Sequence, residues 1–256
     1  MKIATFNVNS IRARLHILIP WLEKNKPDIL TAQETKVQDH DFPEEAFEDI
    51  GYHCAFKGQK SYNGVAILSK QKPQNIRFGL DSEPKDEPRL IKAQIDDFII
   101  VNTYVPQGHQ ADSEKFDYKL DWFQRLLQFF RNNFKSTDNI IWTGDLNVAP
   151  NPVDLYDPAQ FENHVCFHPK ARLALAKVIQ WGFLDVFRLK CPQPGQYTFW
   201  DYRLNSFKRN HGWRIDHIMT AKHLATKCTD CYIDKEPRAA EKPSDHTPLI
   251  AEFINP

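Results

Sequence analysis

An acid and an amide two residues apart close an apolar run in Ile140-Ile141-Trp142-Thr143-Gly144-Asp145-Leu146-Asn147. Such a run reads as a buried strand whose carboxyl end opens into a site. Strand side chains alternate, so Asp145 and Asn147 are expected on one face. A carboxylate and a carboxamide held together can hold a water and the oxygen it attacks. Alone, the pair fits an Asx turn equally well. Further polar residues fall at or beside the ends of expected strands: Asn7, Glu34, Tyr104, Asp216, Asp245 and His246. Carboxylate oxygens suit a hard divalent ion such as Mg²⁺. A metal, a His and amide donors together neutralise charge on a phosphate, and an Asp can orient or deprotonate water.

These side chains need elements to present them. Residues 2–8 read as a first strand. Ile11, Leu15, Leu18 and Leu22 recur at helical spacing over 11–25, and Pro20 should kink or shorten that helix. A second strand, 29–32, delivers Gln33-Glu34-Thr35-Lys36. A short acidic helix covers 42–50, with Pro43 suited to its first turn. Strands are expected at 52–56, 64–69, 89–95 and 98–105, and an exposed acidic loop at 81–88. Residues 113–134 form the clearest helix. Phe116, Leu120, Phe123, Leu127, Phe130 and Phe134 mark its buried face, and Lys115, Lys119, Arg125 and Arg131 mark the opposite one. An irregular stretch, 148–168, precedes a helix at 170–181. Strands follow at 197–200, 213–220, 227–233 and 248–253. Strands outnumber helices in both halves, which argues for mixed sheets flanked by helices. Residues 3–9 echo 141–147, each a strand ending in Asn. Two similar halves facing each other would gather both strand ends at one cleft.

The chain has 256 residues, enough to bury a real core. Its apolar runs are too short to span a membrane, and its N-terminus lacks an apolar h-region and a cleavage site. Five cysteines without framework spacing point to a reducing cytoplasm. With 33 basic and 33 acidic residues the net charge is +0, so a nucleic-acid partner requires basic residues collected on one face. Arg203, Lys208 and Arg209, with Tyr202 and Phe207 interleaved, form such a segment. His109, Lys115 and Lys119 could also touch phosphates, or be solvated helix charges. Cys228 and Cys231 are a lone C-x-x-C whose thiols a strand would separate, which argues against zinc. His164 and His168 read as surface residues.

Four motifs in order carry a resemblance: Gln33-Glu34-Thr35-Lys36, Gly144-Asp145-Leu146-Asn147, Trp213-Arg214-Ile215-Asp216-His217 and Ser244-Asp245-His246-Thr247-Pro248. Together they resemble the signatures of the exonuclease III family of apurinic/apyrimidinic endonucleases, and the likeness runs from Lys2 to Phe253. Residues 58–66 and 197–203 fit too. The resemblance implies one domain over 1–256, an α/β (α+β) four-layered sandwich of two mixed β-sheets packed face to face and flanked by helices. It implies a Mg²⁺-dependent DNA-repair phosphodiesterase, with Mn²⁺ as the substitute ion. Such an enzyme cleaves 5′ to abasic sites, removes 3′ blocking groups and degrades duplex DNA 3′ to 5′. The expected partner is double-stranded DNA with abasic sites or blocked 3′ ends. No membrane partner is expected, and the chain is expected to act as a monomer.

Residue by residue, the resemblance makes Glu34 the principal metal ligand, with Asn7 and Asp245 near the ion. Asp145 activates water, Asn147 and Tyr104 hold the phosphate, His246 donates to it, and Asp216 fixes His246. Phe199, Trp213 and Ile215 line a pocket for a flipped-out baseless sugar, and Arg203 is expected on the backbone. Two positions depart from the family pattern. Asn9 stands where an acid is common. Cys166 stands where a smaller residue is common, beside the sugar, which raises the alternative of a 3′-end-specialised exonuclease and 3′-phosphatase with weak abasic cleavage. Two rivals remain at this point. One is a lipid- or inositol-phosphate phosphatase of the wider superfamily, which would lack the Phe199–Trp213–Ile215 pocket. The other is an idle DNA-end binder, which would lack Glu34, Asp145 or His246. Trp213 and Ile215 alternate with Asp216, so all three can serve one site only if that strand ends at its rim.

Overall fold

The apolar runs of the sequence pair into two six-stranded sheets. The structure, a computed structural model, describes residues 1–80 and 87–254, so the expected loop at 81–88 lies almost wholly outside the described residues. One sheet runs β11 (Cys228–Ile233), β12 (Leu249–Phe253), β1 (Lys2–Asn7), β2 (Ile29–Gln33), β4 (Val65–Ser69), β3 (His53–Lys57). The other runs β5 (Gln74–Phe78), β6 (Leu90–Ile95), β7 (Phe98–Tyr104), β8 (Ile140–Asp145), β10 (Asp216–Ala221), β9 (Phe183–Asp185). Each contains one parallel pair, β1 with β2 and β7 with β8, in otherwise antiparallel surroundings. The two strand orders match position by position, which confirms the repeat but corrects its alignment. β1 corresponds to β7 and β2 to β8, whereas the sequence echo had set β1 against β8.

Alternation along the strands builds the layers. Ile3, Ile29 and Ile67 point inward to meet Ile91, Ile100, Ile141 and Ile218 of the facing sheet. Their neighbours Ala4, Leu30 and Leu68 point outward onto Leu18, Trp21 and Leu22 of α1 (Leu15–Asn25) and Phe47 of α2 (Glu44–Glu48). On the far side Leu90, Val101, Ile140, Trp142 and Met219 pack against α3 (Glu114–Asn133) and α4 (Pro169–Ile179). The order helix, sheet, sheet, helix is the expected sandwich. Ser113 caps α3 by accepting from the Phe116 amide, a contact worth about 1 kcal/mol.

Toward the carboxyl ends of the parallel strands the layer between the sheets turns polar. Asn102 of β7 donates to the carbonyls of Ala32 and Ala66 in the opposite sheet, both at 2.9 Å. Gln33 donates to Asn102 Oδ1 at 2.7 Å, and Thr143 donates to Thr31 across the same gap at 2.8 Å. Such bonds require one relative placement of the sheets, where an apolar layer could slide.

Several expectations change. α1 runs through Pro20 to Asn25. β5 was missed, because its mostly exposed QNIRF has no apolar run. Residues 197–200 form isolated bridges instead of a strand, and the strand expected from 213 begins at Asp216. Lys119 lies on the buried face of α3 with Phe116, Trp122 and Phe123, not on the polar one. A bulge between Cys228 and Asp230 turns both Cys228 and Cys231 inward, so the strand does not separate them.

Candidate active site

Parallel pairing places chemistry at adjacent strand ends. Asn7 sits beside Gln33, so Glu34 emerges next to it; Tyr104 sits beside Asp145. Asn7 joins the two sheets by donating from Nδ2 to Glu34 Oε1 at 2.8 Å and to Asp145 Oδ2 at 2.9 Å. It therefore spaces the two carboxylates. Gly144 lets β8 close on β7, since a Cβ there would lie 1.9 Å from the Thr103 carbonyl oxygen. β8 stops at Asp145, and the backbone of Asn147 is left-handed at φ +50°. Asp145 Oδ1 accepts from the Asn147 amide at 2.9 Å. An Asx turn, not strand alternation, thus brings the pair together. Glu34 also has a positive φ, +52°, a conformation costing about 1–3 kcal/mol and typical of functional positions.

His246 stands between two acids. Its Nδ1 bonds Asp216 Oδ2 at 2.8 Å, and its Nε2 lies 3.8 Å from Asp145 Oδ2. Burial favours the neutral ring, but the Asp216 and Asp145 carboxylates outweigh it and raise the imidazole to about 10. Burial pushes the Asp145 carboxyl up to about 7; the His246 charge opposes this, while Asp216 and Glu34 add to it. Burial would also raise Glu34, but Lys36 at 2.7 Å and the Asn7 amide hold it below the usual range. Among the described residues, Glu34, Asp145 and His246 form the one cluster of potential ligands, with ligand atoms all within 4.8 Å of one another. Its two carboxylates and net negative charge fit a hard divalent cation. Asp245 lies at the cleft, accepting from Asn9 Nδ2 at 2.9 Å. Asn9 accepts in turn from Lys36 at 2.6 Å.

A cleft of about 830 Å³ opens over this cluster. Phe199, Trp213 and Ile215 line it together with Tyr104, Asn147 and Cys166. Residues 198–200 knit its wall: Phe199 and Trp213 exchange backbone bonds at 2.9 Å, and the Trp200 amide donates to the Asp245 carbonyl. Because β10 starts at Asp216, Trp213 and Ile215 are free of its alternation and share the site with Asp216. Cys166 is buried, its Sγ 3.9 Å from Asn147 Oδ1, and burial lifts its thiol to about 11, so it is unreactive. Arg203 lies on the rim, its side chain 83% exposed and paired with Asp201. The rings of Phe161 and His164 pack on Trp213 at 4.8 and 4.6 Å. Sequence reasoning passed over Phe161 and read His164 as a surface residue, since the irregular stretch that carries them has no periodicity; His164 is exposed, but it lines the cleft. A larger groove of about 930 Å³ between α3 and α4 contains none of these residues.

The endonuclease/exonuclease/phosphatase family model matches residues 4–246. The chain belongs to this family. Exodeoxyribonuclease III of Haemophilus influenzae is 36% identical over 266 residues, spanning 99% of this chain and all of that protein. An AP endonuclease from Archaeoglobus fulgidus has a TM-score of 0.97 at 54% identity over the whole of both chains. A 3′ phosphatase from Neisseria, solved with a product DNA hairpin, reaches 0.96 at 39%, again over both whole chains. The exonuclease III resemblance and the sandwich fold are borne out, and the chain is a hydrolase of nuclease type. As an endonuclease/exonuclease/phosphatase protein it draws the carboxylates of its cluster from both sheets, Glu34 from one and Asp145 from the other. The fixed inter-sheet bonds are what keep those carboxylates in register.

Proposed function

We propose that this chain is a Mg²⁺-dependent phosphodiesterase of duplex DNA that cuts 5′ to abasic sites, removes 3′ blocking groups and takes nucleotides from ends 3′ to 5′. One observation carries this reading: the Glu34–Asp145–His246 cluster opens onto a cleft walled by Phe199, Trp213 and Ile215. A phosphatase for small polar substrates has no use for that apolar wall, which suits a sugar without its base and rejects a full nucleotide by size. Water attacks phosphorus in line with the departing 3′ oxygen. Asp145 takes the proton of the water, a task suited to a carboxyl near 7. The phosphorus–O3′ bond breaks, and the 3′ oxygen takes up a proton to become a hydroxyl.

His246, kept as an imidazolium by Asp216, donates to a phosphate oxygen. Tyr104 donates its phenol proton; burial, then Glu34 and Asp145, hold that group well above its ordinary pKa, so it stays protonated. Asn147 Nδ2 gives up its long 3.4 Å bond to Asp145 and keeps the 2.9 Å one to Val105. Glu34, with Asn7 and Asp245 beside it, would hold Mg²⁺ or Mn²⁺, which when bound supplies positive charge beside the phosphate oxygens. Arg203 steadies the DNA backbone at the rim. The free cysteines fit a protein working in a reducing cytoplasm.

Cys166 supports a second reading. Its thiol narrows the cleft next to Asn147, so an internal abasic site would enter less easily than a 3′ end. A labelled duplex with one internal abasic analogue, a 3′-phosphate duplex and an undamaged end-protected duplex separate the readings, each run with Mg²⁺ and with EDTA. The main reading expects a Mg²⁺-dependent nick 5′ to the lesion and no cutting of the undamaged duplex. Removal of 3′-phosphate without a nick selects the 3′-end specialist. Inactivity on both damaged substrates contradicts the assignment to DNA.

A further inference from the structure

α3 places a lysine where its packed face calls for hydrocarbon. Lys119 follows Phe116 by three residues and precedes Trp122 by three, and like them it is fully buried. Its ammonium donates to the carbonyls of Gln107, Asn147 and Val165 at 3.1, 2.8 and 2.9 Å. Three acceptors require three donors, which the ammonium has and a neutral amine lacks. A buried cation without such partners is costly, so the lysine and the three carbonyls specify each other. The acceptors come from three segments: the loop after β7, the turn after β8 and the irregular stretch before α4. Each segment contributes a cleft-lining side chain at or next to its carbonyl, namely Gln107, Asn147 and Cys166. The loop closes tightly over the lysine stem at Gly108, whose φ is +93° and where a Cβ would lie 3.1 Å from Lys119 Cδ. Asn147 meets Lys119 through its carbonyl while its amide nitrogen reaches Asp145 and Val105.

We propose that Lys119 is a positioning residue: its ammonium ties three cleft segments together and thereby holds the Asn147 amide at the phosphate site. The inference rests on the role given to Asn147 above. A methionine would fill the same space, so what the lysine adds is its three donors. Charge and packing alone would leave the reaction indifferent to which residue the ammonium grips; the proposal makes its effect run through Asn147.

The test is a double-mutant cycle of Lys119→Met and Asn147→Gly, measuring kcat and KM on the abasic duplex with Mg²⁺, and the melting temperature of each protein. Glycine removes the amide yet suits the left-handed backbone. Lys119→Met is expected to lower kcat by about 10²-fold, the usual effect of a slight misplacement, with KM within about threefold. In the Asn147→Gly background the same change should cost less than about twofold, because interacting residues are not additive. A repeat of the full loss in that background overturns the inference, as does an unchanged kcat in Lys119→Met. If Asn147→Gly alone loses nothing, the role of Asn147 falls and the inference with it, which separates the two failures. Should Lys119→Met not fold, Lys119→Gln, which keeps one amide donor group, goes through the same cycle.

Discussion

Two charged clusters share the segment Arg214-Ile215-Asp216-His217 and have opposite electrostatic design. Behind the cleft, Arg214 donates to Asp154 and Asp185 at 2.7 Å each and to His217 Nδ1 at 3.0 Å. Arg188 grips Asp154 as well. His217 accepts from arginine on Nδ1, so it carries its proton on Nε2, toward the Val148 carbonyl at 2.9 Å. Every acid there has a guanidinium. Burial would raise Asp154 and Asp185, but Arg214 overrides it and holds both low. In the cleft, among the described residues, Glu34, Asp145 and Asp216 share only His246 and Lys36. Among the described residues Asp145 has no cation within hydrogen-bonding distance, and its carboxyl is pushed up to about 7. The same residue types give a closed structural knot when charge is balanced, and a place for a cation and a phosphate when it is not.

The largest effect should come from the unbalanced cluster. Asp145→Asn is expected to cut single-turnover cleavage by about 10³-fold or more, with DNA affinity within about threefold by gel shift. Retained activity would remove the general base. The balanced knot should answer in stability instead. Arg214→Met leaves Asp185 without a guanidinium and the buried Asp154 with Arg188 alone, and is expected to cost about 3–5 kcal/mol in urea unfolding. The sign of its pH dependence follows from carboxyls held below their unfolded values. Their contribution is fully present above the unfolded carboxylate pKa, near 4, and fades as pH falls through the lowered ones. The wild type should thus lose stability below about pH 4, and Arg214→Met should show a flatter acid limb. An equally steep limb in the mutant would move the acid sensitivity elsewhere. The smallest effect is at the border of the cleft. Cys166→Ala should raise abasic cleavage relative to 3′-phosphate removal by about tenfold at most, and an unchanged ratio would show that the thiol does not shape substrate choice.

Much of the cleft was legible because strand ends and their polar residues are local in sequence. Glu34, Asp145 and His246 stood at the ends or starts of apolar runs, and the inward and outward alternation of β1, β2 and β8 was visible as near-continuous apolar stretches. What escaped depends on distant partners. Lys119 read as a phosphate contact or a solvated charge on the polar face of its helix, since nothing within α3 reveals carbonyls supplied by Gln107, Asn147 and Val165. The bulge that turns Cys228 and Cys231 to one face is set by pairing with β12. Residues 197–200 have strand composition but only isolated bridges to Trp213 and His246. The Arg214 knot was hidden because Asp154 and Asp185 lie far from it along the chain.

The measurement that bears most directly on the charge-deficit account is the melting temperature at pH 8 of wild type, Asp145→Asn and Arg214→Met, each with EDTA and with Mg²⁺. A carboxyl raised in the fold opposes folding above its unfolded pKa, and the opposition is complete above about 7. The account predicts that Asp145→Asn melts higher than wild type in EDTA, that Mg²⁺ raises wild type markedly and Asp145→Asn little, and that Arg214→Met melts lower under both conditions. If Asp145→Asn melts lower than wild type in EDTA and Mg²⁺ stabilises neither protein, the cleft cluster is not an unbalanced cation site, and the contrast with the Arg214 knot fails.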